Sequence, residues 1–252
     1  MQLISLNIWG GHVRDPLLKF VEFHQDVDIF CFQEVYSNAS MKMSTDDNVV
    51  SFDIFERFQE LLPNHRGFFC PVLWDVYGIA AFVKKGIDVM EKGHINIYEN
   101  SNYPGRGPTH PRALQWLKCK VSEKIFTIMN VHGLWNGQGK TDSEDRIIQS
   151  NRIRDFMNTV DTPKILCGDF NLKPDTESTA IVAKGMNNLI QEYGITSTRT
   201  SLYDKDEKYA DYVFTSPEVS TSNFEVWDDL VSDHAPLSLT FSINKDNESQ
   251  HK

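Results

Sequence analysis

Apolar residues along this chain fall into short blocks of two different periods. Residues 3–8 (LISLNI) form a nearly unbroken apolar run that reads as a buried strand, followed by the flexible pair Gly10-Gly11. Asp15 then caps a helix with Pro16 at its first position, and Leu17, Phe20, Val21 and His24 recur at helical spacing. Residues 28–34 (DIFCFQE) give a second strand ending in a carboxylate, and Phe52, Phe55, Phe58 and Leu62 mark a second helix closed by Pro63. The middle of the chain changes character. Residues 77–83, 87–98, 113–121 and 125–131 are strand-like and are joined by tight connections such as Lys84-Lys85-Gly86 and Ser122-Glu123-Lys124, a pattern of antiparallel pairing. Residues 100–111 are too rich in Pro, Gly and Asn for regular structure and form a loop with Arg106, His110 and Arg112 as polar handles. A helix is predicted over 141–160, with Thr141 and Glu144 as a capping box and Ile153, Phe156, Met157 and Val160 on one face. Strands follow at 164–169, 209–215 and 237–243. With no repeat or linker in view, residues 1–243 are read as one domain and 244–252 as a polar tail expected to be disordered.

Composition supports a sizeable core, with 40% hydrophobic residues in 252. No apolar run approaches the roughly 20 residues that span a bilayer, and the first residues lack the basic and apolar regions of a signal peptide, so the chain is expected to have no integral membrane segment and to be cytoplasmic unless a leader was removed. Cys31, Cys70, Cys119 and Cys167 are widely spaced, without metal-binding spacing, and are expected to be reduced and buried. The net charge of −10 repels an extended polyphosphate unless metal ions or a local basic patch offset it, which argues against a passive nucleic-acid binder.

Five strand ends nevertheless carry polar groups: Asn7, Glu34, His132, the segment Gly168-Asp169-Phe170-Asn171 and the segment Ser232-Asp233-His234. Each has an ordinary structural explanation when taken singly, as a turn cap, an edge carboxylate or a core imidazole. As a set they match what phosphoester hydrolysis asks for: oxygen ligands for a hard cation, a group to orient water, and donors for the charge on the phosphoryl oxygens.

The ordered motifs L-N-I-W-G, Q-E-V, N-V-H-G, G-D-F-N-L-x-P, Y-A-D-Y-V and S-D-H-A-P resemble those of the endonuclease/exonuclease/phosphatase family, built like deoxyribonuclease I, from about Ser5 to Phe241. The resemblance implies an α/β four-layer sandwich, two mixed β-sheets face to face with helices outside. It also implies roles. Glu34 is similar to the main metal-binding carboxylate, Asn7 to the amide that helps hold metal and phosphate, and Asp233 to a residue assisting the metal. Asp169 resembles the group that orients or deprotonates water, with Asn171 beside it donating to phosphate or water. His234 resembles the catalytic histidine with Asp211 orienting its ring, and His132 the residue that stabilises phosphate or leaving group. Trp9 stands where abasic-site endonucleases carry a second acidic residue, and Ala210-Asp211-Tyr212 stands where inositol polyphosphate 5-phosphatases carry Cys-Asp-Arg. The N-I-W-G-G opening is closer to that of neutral sphingomyelinases.

For substrate binding, Arg146, Trp135 and Asn136 are the candidates. Lys140, Arg146, Arg152 and Arg154 are interleaved with Asp142, Glu144, Asp145 and Asp155, so that the strip as a whole reads as a solvated mixed face with Arg146 as its exception. Trp74 and Trp227 are expected to pack. The expected activity is that of a Mg²⁺-dependent phosphodiesterase, with Mn²⁺ as a substitute, acting on nucleic acid or nucleotides. The competing readings are a sphingomyelinase-like phospholipid phosphodiesterase and a non-catalytic interaction domain. No protein partner can be inferred.

Overall fold

A computed structural model describes residues 1–41 and 50–244 of the chain. Beyond Asn244 the expected polar tail lies outside the described residues. Two six-stranded sheets pack face to face. The first runs in the order β11 (Val219–Val226), β12 (Leu237–Ile243), β1 (Gln2–Asn7), β2 (Ile29–Tyr36), β4 (Tyr77–Lys84) and β3 (His65–Leu73). The second runs β5 (Asp88–Tyr98), β6 (Arg112–Val121), β7 (Lys124–His132), β8 (Lys164–Asp169), β10 (Asp211–Thr215) and β9 (Asn187–Asn188). Helices α1 (Arg14–Phe23) and α2 (Ile54–Leu61) pack on the outer face of the first sheet, and α3 (Glu144–Thr159) and α4 (Glu177–Ala183) on the second, with a short α5 (Leu189–Glu192) beside β10. The result is the four-layer α/β sandwich.

Strand alternation explains the layers. In β1, Leu3 joins the core between the sheets, whereas Ile4 and Leu6 join Leu17, Phe20, Phe55 and Phe58 under the helices. In β2, Ile29 and Cys31 face inward while Phe30 and Phe32 face α1 and α2. Because both faces of these strands are covered, their sequences are apolar runs without alternating polarity. All four cysteines are buried and free.

Each sheet contains one parallel pair, β1 with β2 and β7 with β8, among otherwise antiparallel neighbours. The carboxyl ends of those four strands carry Asn7, Gln33-Glu34, His132 and Asp169, at the kind of location where open α/β sheets place their sites. Below that level, a buried amide network ties the sheets together. Gln33 Nε2 donates to Asn130 Oδ1 at 2.7 Å, and Asn130 Nδ2 donates to the carbonyls of Phe32 and Ala80, both at 3.1 Å, in the opposite sheet.

Several elements depart from the sequence reading. Strand β3 was not expected. It lies at a sheet edge, where Pro71 withholds no ladder hydrogen bond that a central strand would need. Strand β11 was likewise unmarked, being a polar edge strand. In α1 Pro16 occupies the third helical position, after Arg14 and Asp15, and Val13 precedes the helix without a side-chain cap. In α3 the cap is Ser143, whose hydroxyl accepts from the Arg146 N–H, instead of the Thr141 and Glu144 box. Residues 141–143 therefore belong to the preceding loop.

Asn130→Leu removes donors from two carbonyls and the acceptor of Gln33 in a dry interior. A loss of about 2–3 kcal/mol is expected, to be read from the urea unfolding midpoint; a midpoint equal to wild type would show that the inter-sheet network contributes nothing.

Candidate active site

The site is assembled by backbone features that a regular sheet lacks. Strand β2 bulges against β4 between Gln33 and Val35, so Glu34 drops out of register and takes φ 59°. A bulge re-aims a side chain, and here it swings a carboxylate toward the gap between the sheets. Gly168, at φ 134°, precedes Asp169; a Cβ there would lie 2.0 Å from the Val131 carbonyl, so only glycine lets β8 approach β7 this closely. Beyond Asp169, Asn171 turns the chain at φ 53° and braces the carboxylate, donating its backbone N–H to Oδ1 at 2.8 Å and its Nδ2 to Oδ2 at 3.3 Å. Non-glycine residues in the left-handed region carry strain, and here one is the carboxylate-bearing Glu34 and the other, Asn171, lies two residues after Asp169.

Asp169 Oδ2 is the hub. It lies 2.9 Å from Asn7 Nδ2, 3.7 Å from His234 Nε2 and 3.8 Å from His132 Nε2. The same Asn7 nitrogen donates to Glu34 Oε1 at 3.1 Å, and Glu34 Oε1 is 3.7 Å from His132 Nε2. Asn7 Oδ1 accepts the Trp9 N–H at 2.9 Å. The Asn7 amide, expected to help hold metal and phosphate, here bridges the two carboxylates.

His234 faces Asp211, with Nδ1 at 2.8 Å from both carboxylate oxygens. Asp211 sits directly across β10 from Asp169 on β8 and also accepts from the Thr198 hydroxyl at 3.0 Å. Burial pushes Asp211 up to about 6, which leaves it a carboxylate at neutral pH, and burial followed by the charge of Arg199 pushes His234 down to about 3. A carboxylate only accepts, so Nδ1 carries the proton and Nε2 turns its lone pair toward Asp169. His132 is held well below the ordinary imidazole range by burial and then by Arg112, whose Nη1 lies 3.0 and 2.9 Å from its two ring nitrogens.

Glu34 is raised to about 7, first by burial, with Asp169 and Asp233 pushing the same way against the Asn7 hydrogen bond. Carboxylates crowded at this spacing, all offering hard oxygen donors, fit a divalent cation such as Mg²⁺. Glu34 and Asp233, both lining the cavity, are the candidate ligands. The ligand atoms of Asp169, Asp211 and His234 also lie within 4.8 Å of one another.

These groups open onto a cavity of about 470 Å³ lined by Glu34, His132, Asp169, Asn171, Asp233 and His234, and walled by Trp9, Trp74, Tyr103, Trp135 and Tyr203. Trp135 was expected here and lines the cavity, with Lys205 Nζ 5.6 Å from its ring centroid. Asn136 is not among the lining residues; its Oδ1 accepts the Gln138 N–H in a turn. Arg146 also fails to reach the cavity. It is 1% exposed, and its guanidinium donates to the carbonyls of Leu134, Gly139 and Thr141. The notion of a solvated basic strip holds for Arg152 and fails for Lys140, which is buried. Trp74 is 48% exposed at the rim and is no core residue, whereas Trp227 stacks on His24 as packing. Sequence reasoning passed over Arg199 and Tyr203, which come from an irregular segment with no periodic signal, and named Arg112 only as a loop handle although it begins β6.

The sequence profile of the Endonuclease/Exonuclease/phosphatase family matches residues 4–234. Members of that family are phosphoester hydrolases that use divalent metal ions. Among curated proteins no sequence matches significantly. Solved structures with the same fold include a mannosyl-6-phosphatase from Bacteroides thetaiotaomicron, with 20% identity, TM-score 0.74, and coverage of 96% of this chain and 100% of that one. The human Nocturnin catalytic domain with bound sulfate anion is 20% identical, with TM-score 0.65 and coverage of 97% and 93%. A humanized TDP2 from D. rerio is 15% identical, with TM-score 0.69 and coverage of 96% and 98%.

Because the Arg146 guanidinium is buried on three carbonyls, Arg146→Met is expected to cost about 3 kcal/mol, whereas the exposed Arg152→Met should stay within about 0.5 kcal/mol. Chemical denaturation of the two variants side by side checks this, and equal stabilities would overturn the structural role given to Arg146.

Proposed function

This chain belongs to the endonuclease/exonuclease/phosphatase family, and from that premise we propose that it is a Mg²⁺-dependent phosphodiesterase, with Mn²⁺ as a substitute, cutting nucleotide or nucleic-acid phosphodiesters by direct attack of water. The observation that carries the reading is Asp169 Oδ2 lying 3.7 and 3.8 Å from the Nε2 atoms of His234 and His132, close enough for an oxygen of water or phosphate in the cavity to be engaged by the carboxylate and an imidazole together. In this reading Asp169 orients the attacking water, held in place by Asn7 and Asn171. His234 takes the proton at Nε2, and the resulting imidazolium is stabilised by Asp211 at Nδ1. His132, with Arg112 behind it, supports the phosphoryl oxygens and the leaving group. A divalent cation seated by Glu34 and Asp233 would neutralise phosphoryl charge and help the leaving oxygen depart.

The walls of the cavity support the nucleotide end of this substrate class. Trp9, Trp74, Tyr103, Trp135 and Tyr203 offer aromatic faces around a pit of about 470 Å³, and base-aromatic stacking is worth about 1–3 kcal/mol per base. A pit of that size suits a mononucleotide or a strand end better than the side of a duplex, in keeping with the net charge of −10. Among the described residues no helix is long and apolar enough to cross a membrane.

Dinucleotides, single-stranded DNA, RNA, duplex DNA, sphingomyelin vesicles and a hexose 6-phosphate under one Mg²⁺ condition form the test. Chelator-sensitive turnover is expected on dinucleotides and single strands above duplex; headgroup release or sugar-phosphate hydrolysis with every nucleotide untouched would overturn the substrate. Asp169→Asn and His234→Ala are each expected to lower kcat by about 10²–10⁴ with the fold intact, and Glu34→Gln to raise the Mg²⁺ concentration needed for half-maximal rate. Near-normal turnover in His234→Ala would reject the proposed mechanism.

A further inference from the structure

Lys140 stands in the irregular segment between β7 and α3. It is 2% exposed and lines the cavity, yet its ammonium makes no hydrogen bond. Burying an ammonium with no hydrogen-bond acceptor is costly for folding. Burial pushes it down to about 8, opposed by the fields of Asp169, Asp211 and Asp233, so at neutral pH it remains an ammonium.

The backbone that presents Lys140 is held with unusual thoroughness. Three consecutive carbonyls are occupied: Arg146 Nη2 donates to Gly139 at 2.7 Å, the Lys173 N–H to Lys140 at 2.8 Å, and Arg146 Nη1 to Thr141 at 2.5 Å. Arg146 therefore serves the cavity at one remove, by fixing the segment that carries Lys140.

A second cation meets the first. Arg199 is tied to Asp233 at 3.1 Å through Nη1, while its buried Nε has no hydrogen-bond partner. Its guanidinium carbon lies 4.0 Å from the centroid of the Tyr203 ring, and Lys140 Nζ lies 5.9 Å from the same centroid. Two cations with open donors thus meet one aromatic ring, and all three side chains line the cavity that Asp169 and His234 also line.

We propose that Lys140 and Arg199, set against Tyr203, form an oxyanion subsite that binds the non-bridging oxygens of a substrate or product phosphate next to Asp169 and His234. The assignment rests on the phosphoester reading of the site and adds to it a recognition element supplied by the protein itself. A tetrahedral anion offers several non-bridging oxygens, so that one can meet the ammonium and another the guanidinium edge.

Inorganic phosphate is the probe, titrated calorimetrically into the metal-free protein in EDTA, with thermal unfolding recorded in parallel. Wild type is expected to bind phosphate and to gain Tm with it. Lys140→Met is expected to bind phosphate about tenfold more weakly, and to unfold without phosphate at a temperature equal to or above wild type, since an unpaired buried charge has gone. Lys140→Gln, which keeps polarity without charge, should show the same weakening if the methionine variant fails to fold. Arg152→Met, on the exposed face of α3, should match wild type. No phosphate binding by wild type, or equal binding by wild type and folded Lys140 variants, would overturn the subsite. Because the titration involves no turnover, inactivity toward nucleotides with phosphate binding intact strikes the proposed reaction alone.

Discussion

The carboxamide of Asn7 is the constraint on which the rest of the site depends. One nitrogen donates to Glu34 from the neighbouring strand and to Asp169 from the opposite sheet, at 3.1 and 2.9 Å. That double contact exists only if β1, β2 and β8 end at the same height. Two features secure the height. The Gln33–Asn130 network pins β2 to β7 across the sandwich immediately below, and the Ser232 hydroxyl donates to the Asn7 carbonyl at 2.7 Å while accepting the His234 N–H, so the last motif of the chain is locked onto the end of its first strand. Registers in both sheets are set by apolar side chains far from the chemistry, and the polar cluster inherits its geometry from them.

Bringing these groups together conflicts with folding. Three carboxylates, from Glu34, Asp169 and Asp233, share a pit with the cations of Arg112, Lys140 and Arg199, and a fourth, Asp211, stands behind His234. Glu34 and Asp211 both rise above the usual carboxylate range because their charged forms are poorly solvated. The φ of 59° at Glu34 and of 53° at Asn171 adds backbone strain of order 1–3 kcal/mol each. These costs are tolerable because the remainder of the sandwich is apolar and continuous, with both faces of β1, β2 and β4 buried. Charge crowding and strain at one end of a well-packed scaffold mark a candidate functional site.

The fold was legible in the sequence wherever both faces of a strand are covered. Residues 3–8, 28–34, 77–83 and 164–169 announce β1, β2, β4 and β8 by largely apolar runs, and the polar residues at the ends of β1, β2 and β8 belong to the candidate site. Two edge strands were not legible: β3 contains Pro71 and β11 is mostly polar, so neither stands out as an apolar run. Within the site, Glu34, His132, Asp169, Asn171, Asp233 and His234 are gathered at one cavity as their strand-end positions suggest. Arg146 could not be placed from the sequence, because an arginine that binds phosphate and one that satisfies three carbonyls have the same helical position and differ only in which way the preceding loop folds. Arg199 and Tyr203 were invisible for the complementary reason: their segment lacks periodicity, and its meaning lies in contacts with Asp233 and Lys140 that are distant in sequence.

Strand ends and loops therefore supply different parts of the cavity. The strand ends carry the groups assigned to the proposed chemistry, and these groups are fixed by sheet register. Segments outside the strands contribute Trp9, Trp74, Tyr103, Trp135, Lys140 and Tyr203 to the walls. The buried guanidinium of Arg146 joins the two levels, since it anchors the loop after β7 to the first turn of α3 and so to the helix layer that packs on the second sheet. Exchange of wall residues can then alter what is bound without disturbing Asn7, Glu34 or Asp169, whereas loosening Arg146 would disturb the wall and leave the strand ends in place. A scaffold built this way separates the geometry of the reaction from the choice of substrate, because the two are held by different sets of hydrogen bonds.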